Sequence, residues 1–218
     1  MRKGTQTDWT SYYSKSKSIW SSITQKATLK IIIDVMNQHV FTGNHSKKIS
    51  LVELGGGNSC FAEAVCNEAM IQRYDVIDNN ELSISLFKQK KLNAKEYEGI
   101  LENVLEGNVP ARQYDFVYSV GLIEHFTKQQ RDIVIKSHFN HCKEGGMVMI
   151  SFPTPTLKYR MVRKFMEVLK VWNFWDEVPL VFEDVKDAFE ENGIIKSVQI
   201  NKALPLTQMV VVVEKNGE

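Results

Sequence analysis

The feature that most constrains this chain is a short β-rich run, Ile49-Ser50-Leu51-Val52-Glu53-Leu54, that ends on Gly55-Gly56-Gly57 and passes through Asn58 and Ser59 into a helical pattern. Glycines at a strand–helix junction let the backbone turn tightly and let a ligand approach without a Cβ in the way. The same alternation continues downstream. Tyr74 to Asp78 reads as a second strand, Glu81 to Lys91 as a helix, and Lys95 to Glu98 as a short third strand. Tyr114 to Val120 is a fourth strand, Lys128 to Cys142 a helix, and Met147 to Phe152 a fifth strand. Strands and helices at this spacing imply βαβ units, right-handed crossovers and a mainly parallel sheet. After Pro155 the pattern is helical to about Leu169. It ends as a helix (Glu183 to Glu191) and two strands, Ile195 to Ile200 and Gln208 to Glu214, which suggest an antiparallel pair at a sheet edge. The expected fold is therefore α/β, with a Rossmann-like seven-stranded sheet, helices on both faces and one reversed strand near the C-terminus.

Composition narrows the partners. Lys and Arg number 27 against 26 Asp and Glu, for a net charge of +1, so no global field draws the protein to nucleic acid or to an acidic membrane, though a local basic patch stays open. The basic N-terminal stretch lacks an apolar core and does not read as a signal peptide. The longest apolar run near the C-terminal end, Met209 to Val213, is too short to cross a bilayer. A soluble cytoplasmic protein is expected. Three cysteines with no CxxC pair (Cys60, Cys66, Cys142) give neither a disulfide framework nor a zinc site. We expect a single domain over 1–218, with 1–45 as an N-terminal helical lid and 154–182 as an acceptor-side lid.

Two acids define the ligand. Glu53 precedes the first glycine by two residues, and a carboxylate there repels a pyrophosphate but attracts a cationic group. A dinucleotide site also wants G-x-G-x-x-G, and the third position here is Cys60. Asp78, at the end of the second strand, is placed to take both hydroxyls of a ribose. The pair describes a nucleoside ligand with positive charge and no phosphate, a description that S-adenosylmethionine meets.

On these residues the sequence resembles the class I S-adenosylmethionine-dependent methyltransferases of small-molecule type, over about Ile49 to Pro155. Glu53, Gly55 and Gly57 fall on the family's acid-x-Gly-x-Gly motif, and Asp78, with Asn79 beside it, on the ribose acid. Glu102-Asn103-Val104 falls where an acid often reads the adenine. Asp115 falls on the acid opening the fourth strand, and Lys143-Glu144-Gly145-Gly146 on the turn before the fifth. Ser59 replaces a frequent third glycine and Asn103 a frequent acid. The resemblance implies cofactor contacts from Glu53, Gly55, Gly56, Gly57, Asp78, Asn79, Asn103, Val104 and Ser119, with Tyr13 and Trp9 as lid contacts from the N-terminal segment.

The fourth strand runs into Ser119-Val120-Gly121-Leu122-Ile123-Glu124-His125, at the sheet edge that borders the crevice. A hydroxyl acceptor must lose a proton, and His125 is the candidate general base, with Glu124 orienting it or binding an acceptor amine. Thr154, Tyr159, Arg160 and Arg163 are candidate acceptor contacts, the arginines as an anion clamp. His138 and His141, at i and i+3, lack a carboxylate partner in the pattern and read as a packed or solvated face, so no metal is expected. The acceptor is expected to be a small polar molecule, O- or N-methylated, with a saccharide or lipid-linked intermediate as the candidate. The rivals are a non-catalytic binding or scaffold protein of the same fold, and a protein methyltransferase.

Overall fold

The computed structural model describes residues 6–14, 19–41, 48–68, 70–106, 111–201 and 207–217, with positions 19–23 described by backbone alone. Its centre is a seven-stranded sheet in the order β3-β2-β1-β4-β5-β7-β6. The strands are β1 (Ile49–Leu54), β2 (Ile71–Asp78), β3 (Glu96–Leu101), β4 (Tyr114–Val120), β5 (Cys142–Pro153), β6 (Gly193–Asn201) and β7 (Gln208–Lys215). All neighbours pair in parallel except β7, which runs antiparallel to both β5 and β6. The expected architecture is borne out, including the single reversed strand.

Leu51, Val52 and Leu54 are fully buried, as befits a central strand covered on both faces. One face packs on α2 (Ile19–Val35), the short α3 (Ala62–Val65) and α4 (Glu81–Lys88), through Ile32, Val35, Val65, Ile84 and Phe87. The other packs on α5 (Lys128–His141) and α7 (Lys186–Glu190), through Val134, Ile135, Phe139 and Phe189. Two further helices, α1 (Trp9–Ser14) and α6 (Leu157–Val168), lie at the carboxyl end of the sheet. Local chemistry sets the helix starts. Asn80 caps α4 by accepting from Ser83 N, Thr127 and Gln130 form a capping box on α5, and Thr156 caps α6 through Tyr159 N.

The chain leaves β1 for β2 on one side, while β4 lies on the other. The carboxyl ends of β1 and β4 therefore flank the point where strand order reverses, the usual place for a ligand crevice in such sheets. At the opposite end, Asp115 Oδ2 accepts from Ser50 N (2.9 Å) and Lys143 Nζ (2.9 Å) and ties β4 to β1. Burial opposes its charge, but those bonds prevail and hold its carboxyl down at about 2.

Several boundaries differ from expectation, with β2 starting earlier, at Ile71, and β3 running on to Leu101. The helix after the glycine turn covers only Ala62–Val65, because Ser59 to Phe61 still belong to the turn. Strand β5 starts at Cys142, so Gly145 and Gly146 lie inside it. Gly145 has φ +67, and the register with β4 shifts between Tyr114 and Phe116, so these glycines mark an irregularity in the ladder. The expected Glu183–Glu191 helix is a 3-10 turn, Phe182–Asp184, followed by α7. His138 and His141 are both buried against the sheet, and no disulfide joins the cysteines. Among the described residues no helix is long and apolar enough to cross a membrane.

Candidate active site

Strand β1 carries Glu53 and the glycine turn to the carboxyl edge. Gly55 and Gly57 adopt φ of +65 and +56, the left-handed region where a Cβ is penalised. Ser59 also has positive φ, +36, at a cost of about 1 kcal/mol for a non-glycine residue. Its hydroxyl offsets that cost by donating to Glu53 Oε2 (2.5 Å) and accepting from Ala62 N (3.0 Å). Tyr74 also donates to Glu53 Oε2 (2.7 Å) and shares a hydrogen bond with Tyr118. Burial pushes the Glu53 carboxyl up to about 7, against the pull of these hydroxyls. Glu53 thus braces the turn from below while forming part of the cleft floor.

Asp78 closes β2 on the facing wall. Its Oδ2 accepts from Gly57 N (2.9 Å) and its Oδ1 from Asn80 N (2.8 Å), so one carboxylate links the glycine turn to the start of α4. Asn79, Asn103 and Val104 line the same side. Asn103 Oδ1 accepts from Leu105 N (3.1 Å), which uses one of that oxygen's two lone pairs.

Helix α1 lies across the mouth. The Tyr13 phenol sits on Gly57, where an added Cβ would overlap it. Burial, then the nearby Asp78 carboxylate, holds that phenol far above its usual range. Thr10 Oγ1 accepts from Asn80 Nδ2 (2.9 Å). Trp9 meets His125 edge-on at 5.0 Å and Phe174 at 5.9 Å between ring centres. Thr7 donates to Asp176 from both its amide and its hydroxyl. Trp20, another aromatic of this segment, lies outside the described side chains.

His125 ends the 3-10 turn Ile123–His125 that follows β4. Its Nδ1 lies 3.0 Å from Asp176 Oδ1. An ionised carboxylate only accepts, so the neutral ring donates Nδ1–H and keeps Nε2 as a proton acceptor. Burial lowers the His125 pKa, and the Asp176 charge partly restores it. Burial works against ionisation of Asp176, but the bonds from Thr7 and His125 outweigh it and keep its pKa below the usual carboxylate value.

Asp176 was not singled out by the sequence reading, and it takes the role assigned to Glu124. Glu124 is 2% exposed and does not orient His125. Burial, followed by the Glu177 charge, raises its pKa well above the usual range. Tyr159 does reach the cleft, where its hydroxyl donates to Glu177 Oε1. Three expected roles need correction. Ser119 is fully buried and spends its hydroxyl on His138 Nε2 (2.8 Å), away from the cleft. Thr154 is buried behind the wall, with its carbonyl accepting from Thr207 Oγ1. The arginines form no clamp. Arg160 is exposed outside the cleft, and Arg163 donates to Tyr159 Oη, the Glu177 carbonyl and Glu167 while stacking over Trp172 at 5.1 Å. Arg163 secures the 170s loop instead of facing a ligand.

Together these walls enclose about 540 Å³, within the usual range of small-ligand sites. Six acids and no lysine or arginine line it among the described residues. That lining disfavours a pyrophosphate and suits a sulfonium nucleoside, so the residues fit S-adenosylmethionine. Glu124, His125 and Glu177 bring ligand atoms within 4.8 Å of one another, a spacing that could hold a metal ion. Asp176 already engages His125, and Tyr159 already engages Glu177, whereas the buried Glu124 Oε2 has no hydrogen-bond partner among the described residues.

A family model for the methyltransferase domain matches residues 32–201, and the chain belongs to that family, the class I S-adenosylmethionine-dependent methyltransferases. Solved structures agree on the fold. Magnesium protoporphyrin IX methyltransferase from Synechocystis PCC 6803, solved with S-adenosylhomocysteine, superposes with a TM-score of 0.70 at 12% identity, over 95% of this chain and 93% of that one. The N-methyltransferase NodS from Bradyrhizobium japonicum WM9, also with S-adenosylhomocysteine, gives 0.58 at 13% identity, over 85% and 87%. A TehB-like S-adenosylmethionine-dependent methyltransferase from Corynebacterium glutamicum gives 0.60 at 13% identity, over 95% and 94%. No curated protein matches the sequence.

Proposed function

We propose that the protein transfers the methyl group of S-adenosylmethionine to an oxygen or nitrogen of a small polar acceptor, with a saccharide intermediate, free or lipid-linked, as the candidate. The observation that carries this reading is the His125–Asp176 pair on the wall of a cleft that begins at the glycine turn. Bound there, the cofactor supplies a methyl group made electrophilic by its sulfonium. Asp78 and the glycine turn hold the nucleoside, Glu53 favours the cationic end, and Tyr13 covers it. His125 Nε2 takes the acceptor's proton, while Asp176 fixes the ring tautomer and favours the imidazolium that forms. The roofing aromatics Trp9, Tyr12 and Phe174 exclude water and offer ring faces to a sugar. Positioning of acceptor against methyl supplies much of the acceleration.

Calorimetric titration with S-adenosylmethionine and S-adenosylhomocysteine, with NAD as control, tests the cofactor half. Saturable binding of the first two, none of NAD, and loss in Asp78→Ala are expected. Tight NAD binding would refute the reading. An acceptor screen by homocysteine release, starting with sugars and amines, then tests the other half.

A further inference from the structure

The outward face of α6 and the loop after it is apolar, and nothing in the described chain covers it. Leu157, Met161, Phe165 and Val168 are 76%, 65%, 64% and 72% exposed. At 100° per residue these four fall within one quarter of the helix circumference. The inward side is held separately by Tyr159, which is 1% exposed, and by Arg163. The apolar stripe continues past the helix through exposed Leu169, Val171 and Trp175.

Charge identifies the occupant. Residues 157–171 carry five basic side chains and one acid, Glu167, and that acid is paired with Arg163 at 2.9 Å. Lys158 flanks the apolar stripe on one side, and Arg160 and Lys164 flank it on the other. An apolar stripe bordered by long cationic side chains, with a tryptophan at its end, is what an anionic bilayer surface binds. The ring faces and aliphatic stems enter the headgroup region while the charges stay at phosphate level. A second copy of the chain would bring these cations against each other.

We infer that α6 and the 169–175 segment form a docking face for an anionic membrane surface. The face stands on its own exposure and charge. Its use for presenting a lipid-linked acceptor rests on the methyl-transfer reading, since Phe174, within that segment, and Asp176, directly after it, line the cleft.

The test is co-sedimentation of the full chain with phosphatidylglycerol–phosphatidylcholine vesicles and with phosphatidylcholine vesicles alone. We expect at least tenfold stronger partition onto the anionic vesicles, weakening with added salt. Met161→Asp with Phe165→Asp should abolish binding, and Lys158→Ser with Lys164→Ser should weaken it by roughly 25-fold, at about fivefold per cation near an anionic surface. Retained S-adenosylhomocysteine affinity shows that each variant is folded. Equal partition onto both vesicle types overturns the inference, as does absence of binding. So does a dimer in sedimentation velocity that Phe165→Asp dissociates, because the face would then belong to a second copy. Failure of S-adenosylhomocysteine binding in the wild type refutes the cofactor reading alone and leaves the vesicle result to stand.

Discussion

Replacing Asp176 by asparagine keeps the shape of the His125 partner and removes its charge. The hydrogen bond is 3.0 Å long, and the Asp176 side chain is 18% exposed. A bond to a charged group contributes about 1.5–3 kcal/mol, and partial exposure argues for the lower end. Losing that contribution lowers the His125 pKa further. The direction is fixed by the balance of forces: burial already depresses the pKa, and the Asp176 charge is what holds it up. An NMR titration of the imidazole protons reads this without an acceptor, with His125→Gln assigning the signal among the five histidines. With an acceptor in hand, kcat should fall roughly 10- to 100-fold, since general-base assistance as a whole contributes about 10²–10⁴. A His125 pKa that stays constant or rises in Asp176→Asn would refute the dyad.

Other consequences are equally direct. Gly57→Ala meets both a left-handed backbone and the Tyr13 phenol, so it should lower stability by about 1–2 kcal/mol and weaken S-adenosylhomocysteine binding in calorimetry. Tyr13→Phe, which keeps the ring, should leave stability unchanged. His138 is held neutral by burial, with its pKa pushed down to about 4 from 6.5. The unfolded chain therefore binds the extra proton, and stability contributed above pH 6.5 is lost as pH falls toward 4, by about 3 kcal/mol. Glu53 acts with the opposite sign over 4.5 to 7, so the test is the difference between wild-type and His138→Gln denaturation curves. Arg163→Ala should lower the melting free energy by about 1–3 kcal/mol by freeing the 170s loop, whereas Arg160→Ala should stay within about 0.5 kcal/mol.

What the sequence made legible follows from the range of the forces involved. Strand β4 appears at the expected residues because its aromatic and β-branched run is a local signal, and the glycine turn announces itself by composition. Asp78 is legible because it sits at a strand end that the period places. Asp176 was not, since its partner His125 is 51 residues away and the loop carrying it has no period. Ser119 looked like a crevice residue by its position at the end of β4, but the packing of α5 delivers His138 to its hydroxyl. The Arg160 and Arg163 pair failed as a clamp for the same reason. Spacing places two side chains on neighbouring parts of a helix, and only the 170s loop decides that one of them turns inward to Tyr159 and Glu177.

Helix α1 and the Thr7 that precedes it touch both halves of the cleft at once, with Tyr13 on Gly57 and Thr10 on Asn80 at one end, and Thr7 on Asp176 and Trp9 on Phe174 at the other. The short stretch from Thr7 to Tyr13 therefore bridges the glycine-turn side and the His125–Asp176 side of one cleft. On the methyl-transfer reading, the donor is expected to bind in the inner half before this segment settles and to leave after it lifts. The expected kinetics are ordered, with the methyl donor entering first and its spent form departing last, which product-inhibition patterns would check. Loosening Thr7 from Asp176 should quicken product departure even as it slows the chemistry.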